Sequence, residues 1–173
     1  MVDDYCPWLS EKSENIQNVA EMEKRTFAFD YLHYDSLDDL PDKDRKLVER
    51  ALHACGEAYA PYSGFRVGAA ARLVNGSVFL ANNQESEVFP SGMCAERILL
   101  YYIQANGNRE AIDTLAIVSM PGERECYPCG ACRQVLIDTE KRQHRPIRLI
   151  LCSDHSATVI EAAHLLLPMA FEL

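Results

Sequence analysis

No stretch of this 173-residue chain approaches the roughly 18 consecutive apolar residues that a membrane-spanning helix needs. The start, Met1 to Asp4, lacks the basic and then apolar layout of a secretory leader, and the chain carries no internal repeat or low-complexity tract. These absences predict a soluble, cytoplasmic protein with no membrane partner. Basic residues are scarce as well, 17 Lys and Arg against 26 Asp and Glu, for a formal net charge of −9. Affinity for nucleic acid rests largely on basic side chains meeting phosphates, so RNA and DNA are disfavoured and small uncharged substrates are favoured. The seven cysteines are odd in number. Cys126, Cys129 and Cys132 crowd into one short segment, which suits metal binding by reduced thiols better than a secreted disulfide framework. What is present is ample apolar material, 48% of residues, enough for one globular core without disulfides.

Charge divides the chain. Residues 1–43 hold eleven acidic and four basic side chains and so supply −7 of the −9, leaving the rest nearly neutral. We read 1–43 as an appended acidic arm and 44–173 as the main domain. Within the arm, Phe27, Phe29 and Tyr31 alternate with Ala28 and Asp30, which predicts one strand, while residues 1–24 show no sustained pattern.

From Asp44, the positions Leu47, Val48, Ala51, Leu52, Cys55 and Tyr59 follow helical spacing, with Asp42 or Asp44 as cap and Pro61 as stop. Val67, Ala69, Ala71 and Leu73 then alternate, Asn75-Gly76 supplies a hairpin turn, and Val78 to Ala81 returns. A second helix is predicted from Cys94 to Ala105, with Ile98, Leu99, Tyr102 and Ile103 inward and Gly107 at its end. Leu115 to Met120 and Arg148 to Cys152 read as buried strands separated by a helix starting near Cys129. This order implies an α/β domain, a mixed sheet covered by helices.

The chemistry concentrates at two helix starts. Pro128-Cys129-Gly130-Ala131-Cys132 places two thiols three residues apart on a first turn, where the helix dipole favours thiolates. Thirty-five residues upstream, Cys94-Ala95-Glu96-Arg97 offers a third thiol and a carboxylate. Three protein ligands on Zn²⁺ leave a fourth position for water, whose pKa the metal lowers towards about 7. Glu96 is then the proton acceptor. Positions i and i+2 of an ideal helix diverge, so Glu96 reaches that water only if the helix end itself faces the site.

With these residues in view, the chain from about Leu47 to Phe171 resembles the cytidine deaminase family, in its three-cysteine branch. The matching motifs run in order: Ala58-Tyr59-Ala60-Pro61-Tyr62-Ser63-Gly64-Phe65-Arg66-Val67-Gly68-Ala69-Ala70, then Asn83-Gln84-Glu85, then the two cysteine motifs, then Leu166-Leu167-Pro168 with Phe171. The resemblance implies a three-layer α/β/α sandwich around a mixed five-stranded sheet, and one Zn²⁺ per subunit held by Cys94, Cys129 and Cys132. It implies hydrolysis of cytidine and deoxycytidine to uridine and deoxyuridine plus ammonia, in pyrimidine salvage. Zinc-bound hydroxide would attack C4 while Glu96 shuttles the proton.

It further implies that Asn83 and Glu85 bind the ribose 3′-hydroxyl, that Phe65 lines the base pocket, and that the Ala95 N–H meets the pyrimidine carbonyl. Arg97 would hydrogen-bond the ligand thiolates with Gln134 as its orienting neighbour. Phe171 would cover the base in a neighbouring subunit of a homotetramer with shared sites.

Two departures matter. Ser86, Glu87, Val88 and Phe89 stand where the family has an asparagine, small residues and a tyrosine, and Glu87 would disfavour phosphorylated substrates. Cys126 offers a fourth thiol, which would close the site into a structural one, although Tyr127-Pro128 should carry it away from the metal. The alternatives are therefore a deaminase of a cytosine antibiotic such as blasticidin S, which intact Asn83 and Glu85 speak against, and a non-catalytic zinc module, which Glu96 speaks against. Editing of RNA or DNA is a third, lowered by the acidic balance.

Overall fold

In the three central strands, alternate side chains point to opposite faces and so divide the core in two. These strands are β2 (Arg66–Leu73), β4 (Ile112–Met120) and β5 (Arg148–Cys152). Ala69, Ala71, Leu115, Ile117, Leu149 and Leu151 face one side, where helices α2 (Ala95–Ala105) and α3 (Gly130–Gln143) cover them with Leu99, Leu100, Ile103 and Leu136. Ala70, Ala116, Val118, Ile150 and Cys152 face the other, under Leu47, Val48, Ala51 and Cys55 of α1 (Asp42–Gly56). The result is the expected α/β/α sandwich. This computed structural model describes residues 22–106 and 110–172.

Strands β1 (Leu32–Tyr34), β3 (Val78–Asn82) and β6 (Ala157–Ile160) complete a sheet ordered β1-β6-β5-β4-β2-β3. β4 and β5 are parallel, with α3 as their crossover, and every other pair is antiparallel. The sheet therefore has six strands rather than five. The added strand is β1, which comes from the arm and pairs Leu32 to Val159 and Tyr34 to Ala157. It begins just past the aromatic alternation. The rings of Phe27, Phe29 and Tyr31 lie tilted against one another, with successive centroids 6.2 and 6.3 Å apart, and join no ladder.

The hairpin turns at Gly76, whose φ of +87° a side chain would resist. Gly68 of β2 is equally constrained, since a Cβ there would sit 2.1 Å from the Ala51 carbonyl oxygen of α1. On α2 the inward face is Leu99, Leu100 and Ile103, while Tyr102 is 51% exposed and its ring lies against Phe79. The proposed helix end at Gly107 lies outside the described residues, as do Met1 to Asp4.

Neither Asp42 nor Asp44 caps α1, whose N-cap is Pro41, and the helix ends at Gly56, short of Pro61. Asp44 is buried instead, accepting from Arg72 at 3.1 Å and from Arg148 at 2.8 Å, and so ties α1 to two strands. Asp44→Ala leaves both guanidiniums short of a counter-charge, and the expected loss is about 3 kcal/mol. Thermal denaturation should show a midpoint lower by roughly 10 °C for a chain of this size; an unchanged midpoint would show that Asp113 and Glu161 satisfy the arginines unaided.

Candidate active site

The first residues of α2 and α3 meet at one end of the sheet. Cys94 is the N-cap of α2 and Cys129 the N-cap of α3, both with extended backbone, and neither side chain caps its own helix. Both sulfurs are thus free to face the same point. Cys94 Sγ lies 3.9 Å from Cys129 Sγ, which lies 3.4 Å from Cys132 Sγ, and all three are within 4.8 Å of one another. A tetrahedral ion with metal–sulfur bonds of about 2.3 Å separates its sulfurs by about 3.8 Å, so this donor set fits Zn²⁺. Among the described residues the cluster holds three thiols and no fourth. Cys126 is buried apart from it, its amide bonded to the Cys152 carbonyl at 3.0 Å, and burial pushes its thiol up to about 12.

Charge within the cluster is shared unevenly. The hydrogen bond from Cys132, and then the Arg97 guanidinium, bring the Cys94 thiol down to about 5, while Cys132 as donor is pushed up. Arg97 Nη2 stands 3.8 Å from Cys94 Sγ. Glu96 is only 3% exposed. Burial, reinforced by the nearby Cys94 charge, lifts its carboxyl to about 7, a value suited to taking and giving a proton at neutral pH. Because Cys94 precedes the helix rather than belonging to it, the divergence of i and i+2 does not arise.

A cleft of 460 Å³ joins Cys94 and Arg97 to Ser63, Asn83, Glu85, Ser86 and Phe89. Ala95 is buried as the first residue of α2, where helical N–H groups have no partner within the helix. Phe65 lines a different cavity, with Cys126 and Tyr127, and Glu87 is exposed outside the cleft lining. A larger 880 Å³ groove along α3 and the C-terminal segment contains none of the thiols.

Asn83 and Glu85 are engaged with the segment that follows α1 and with the start of β2. Asn83 Oδ1 accepts from Val67 N at 2.7 Å and its Nδ2 donates to Phe65 O at 3.0 Å. Glu85 Oε2 accepts from Tyr62 N at 2.8 Å and Ser63 N at 3.2 Å, and Oε1 from the Ser63 hydroxyl.

The expected partnership of Gln134 with Arg97 is not what the structure places there. Gln134 Nε2 donates to Asp138 Oδ1 and to the Phe171 carbonyl, both at 3.0 Å, so it holds the C-terminal segment. The Phe171 ring is 69% exposed and lines neither cavity.

Two contributors are invisible in the spacing. Arg133, next to a metal-type cysteine, donates to the Pro128 carbonyl at 2.8 Å and the Leu166 carbonyl at 2.9 Å, fixing the approach to Cys129. Ser63 stands within the motif Ala58 to Ala70, but nothing in that motif signals that its hydroxyl binds Glu85.

The family model described as "Cytidine and deoxycytidylate deaminase zinc-binding region" matches residues 41–144. A cytidine deaminase of Halalkalibacterium halodurans is 39% identical over 92 residues, which is 53% of this chain and 68% of that protein. One from Mycobacterium tuberculosis is 36% identical over 100 residues, 57% of this chain and 74% of its own. The crystal structure of cytidine deaminase from Burkholderia pseudomallei superposes with a TM-score of 0.65 at 36% identity, covering 73% of this chain and 97% of that one. The Mycobacterium tuberculosis crystal structure gives 0.61 at 30% identity, covering 77% and 99%.

Proposed function

Because this chain belongs to the cytidine and deoxycytidylate deaminase family, we infer that it is a zinc-dependent enzyme hydrolysing cytidine and deoxycytidine to uridine and deoxyuridine with release of ammonia. The observation that carries this is the convergence of three thiols at two helix starts with a buried carboxylate beside Cys132 and Cys94. Cys94, Cys129 and Cys132 would hold Zn²⁺, which supplies the Lewis acidity that makes water nucleophilic at neutral pH.

The protein's own groups supply the rest. Glu96 takes a proton from the attacking water and delivers it to ring N3, then takes the second proton from the new C4 hydroxyl and passes it to the exocyclic amine, which leaves as ammonia when the C4–N bond breaks. The Ala95 N–H orients the ring through its carbonyl, and Phe65 packs on the base side. Arg97 offsets the negative charge of three thiolates. Asn83 and Glu85 take the sugar. After the bonds described above, Asn83 retains one free N–H and Glu85 about one acceptor position, the complement of a single hydroxyl that both accepts and donates.

The same reading places the enzyme in pyrimidine salvage in the cytoplasm, where thiols stay reduced. The free state of Cys55, Cys94, Cys126, Cys129, Cys132 and Cys152 agrees with that setting. Among the described residues, no helix is long and apolar enough to cross a membrane. Assembly as a homotetramer is supported by exposed rings near the cleft, Tyr62, Phe65 and Phe89, and by the exposed Phe171 offered for a neighbour's site. The division into an acidic arm over 1–43 and a catalytic domain over 44–173 belongs to this proposal too.

The direct test is absorbance-monitored loss of cytidine before and after zinc chelation. Turnover that disappears with zinc and returns on its restoration is expected. Zinc-replete protein that binds the nucleoside without converting it would overturn the catalytic reading.

A further inference from the structure

One wall of the cleft is tied together through one hydroxyl. Ser63 Oγ donates to Glu85 Oε1 and accepts from Phe65 N at 3.0 Å, across a turn in which Gly64 takes φ +69° and donates to the Ala60 carbonyl at 3.0 Å. Phe65 is thus fixed at both ends of its backbone, its N–H on Ser63 and its carbonyl on Asn83. A serine hydroxyl has one proton to give, and here it is given to the carboxylate. Two backbone amides hold the other carboxylate oxygen, so three of about four acceptor positions of Glu85 are filled before any substrate arrives.

From this geometry we propose that Ser63 is a positioning residue for substrate selection: it aims the remaining acceptor of Glu85 at the sugar and sets Phe65 against the base, linking the two halves of nucleoside recognition. The inference rests on the assignment of Asn83 and Glu85 to the sugar. Ser63 is not one of the metal-type donors, and its hydroxyl bonds to Glu85 and Phe65, so its effect falls on binding rather than on the metal or the proton transfer. Its hydrogen bond is also the leading cause holding the Glu85 carboxyl below the usual carboxylate range.

The experiment compares the parent protein, Ser63→Ala and Ser63→Thr with cytidine and with 3′-deoxycytidine, reading kcat and KM separately, together with uridine binding by calorimetry and zinc content. Ser63→Ala should raise KM for cytidine and Kd for uridine by about tenfold or more, the size expected for a lost hydrogen bond to a charged group. Its kcat should stay within about threefold, its zinc content should be unchanged, and its preference for cytidine over the 3′-deoxy compound should shrink. Ser63→Thr, which keeps the hydroxyl, should recover most of the preference. If Ser63→Ala keeps the parent's preference, or loses kcat equally on both substrates, the Ser63 proposal is overturned while the sugar assignment stands. Equal handling of the two nucleosides by the parent protein would overturn the sugar assignment, and the role of Ser63 with it.

Discussion

Glu96→Ala is expected to lower kcat by about 10³- to 10⁴-fold, equivalent to about 4–5.5 kcal/mol of barrier, while the protein keeps its full complement of zinc. The reason lies in where the carboxylate stands. It is buried beside the thiols without being one of them, and burial holds its pKa near neutrality, so its removal deletes the proton carrier and leaves the metal ligands whole. Alanine at this site leaves a small cavity, and the helix persists because alanine is its strongest former. Zinc measured by atomic absorption should remain at one per chain and uridine should still bind. A variant that turns over cytidine normally would remove Glu96 from the mechanism. One that loses zinc along with activity would make the carboxylate part of the metal site instead.

Cys129→Ala is expected to empty the zinc site and abolish turnover. Cys129 is the better probe among the three thiols because it is exposed, whereas Cys132 is fully buried and its truncation would damage the core as well. Loss at Cys129 leaves two sulfurs, too few to hold Zn²⁺ against water. Since a metal bound only by the folded state adds its binding free energy to stability, the variant should melt where chelated parent protein melts. A Cys129→Ala protein with stoichiometric zinc and measurable activity would sink the three-thiol assignment, and the first place to look for the substitute ligand would be Cys126.

Much of this molecule could be read from its residues, because its strongest signals are local. The runs Leu115 to Met120 and Arg148 to Cys152 are dense in branched apolar residues, and the structure places both in the middle of the sheet. The cysteine motifs carry the site because a thiol pair at i and i+3 on a first turn has few other uses.

What stayed hidden depends on partners distant in sequence. β6 has only four residues, Ala157 to Ile160, too few to show a period, and it exists through pairing with β5 and β1. The strand in the arm begins at Leu32 rather than at the aromatic alternation because the register with β6 decides it. Asp44 resembles a helix cap until Arg72 and Arg148, 28 and 104 residues away, come to meet it. Likewise the amide of Gln134 finds the Phe171 carbonyl, a backbone group that no side-chain motif encodes.

One further property follows from the strand contributed by the arm. All four residues of β6 are buried, and β5 occupies only one of its two hydrogen-bonding sides. Without Leu32–Tyr34, the other side would be an open sheet edge of apolar residues, the kind of surface on which strands from separate molecules pair and aggregate. The three-residue strand stands guard there, and the flanking Asp30 and Asp35, together with its own His33, make it a poor template for any strand that would extend the sheet outward.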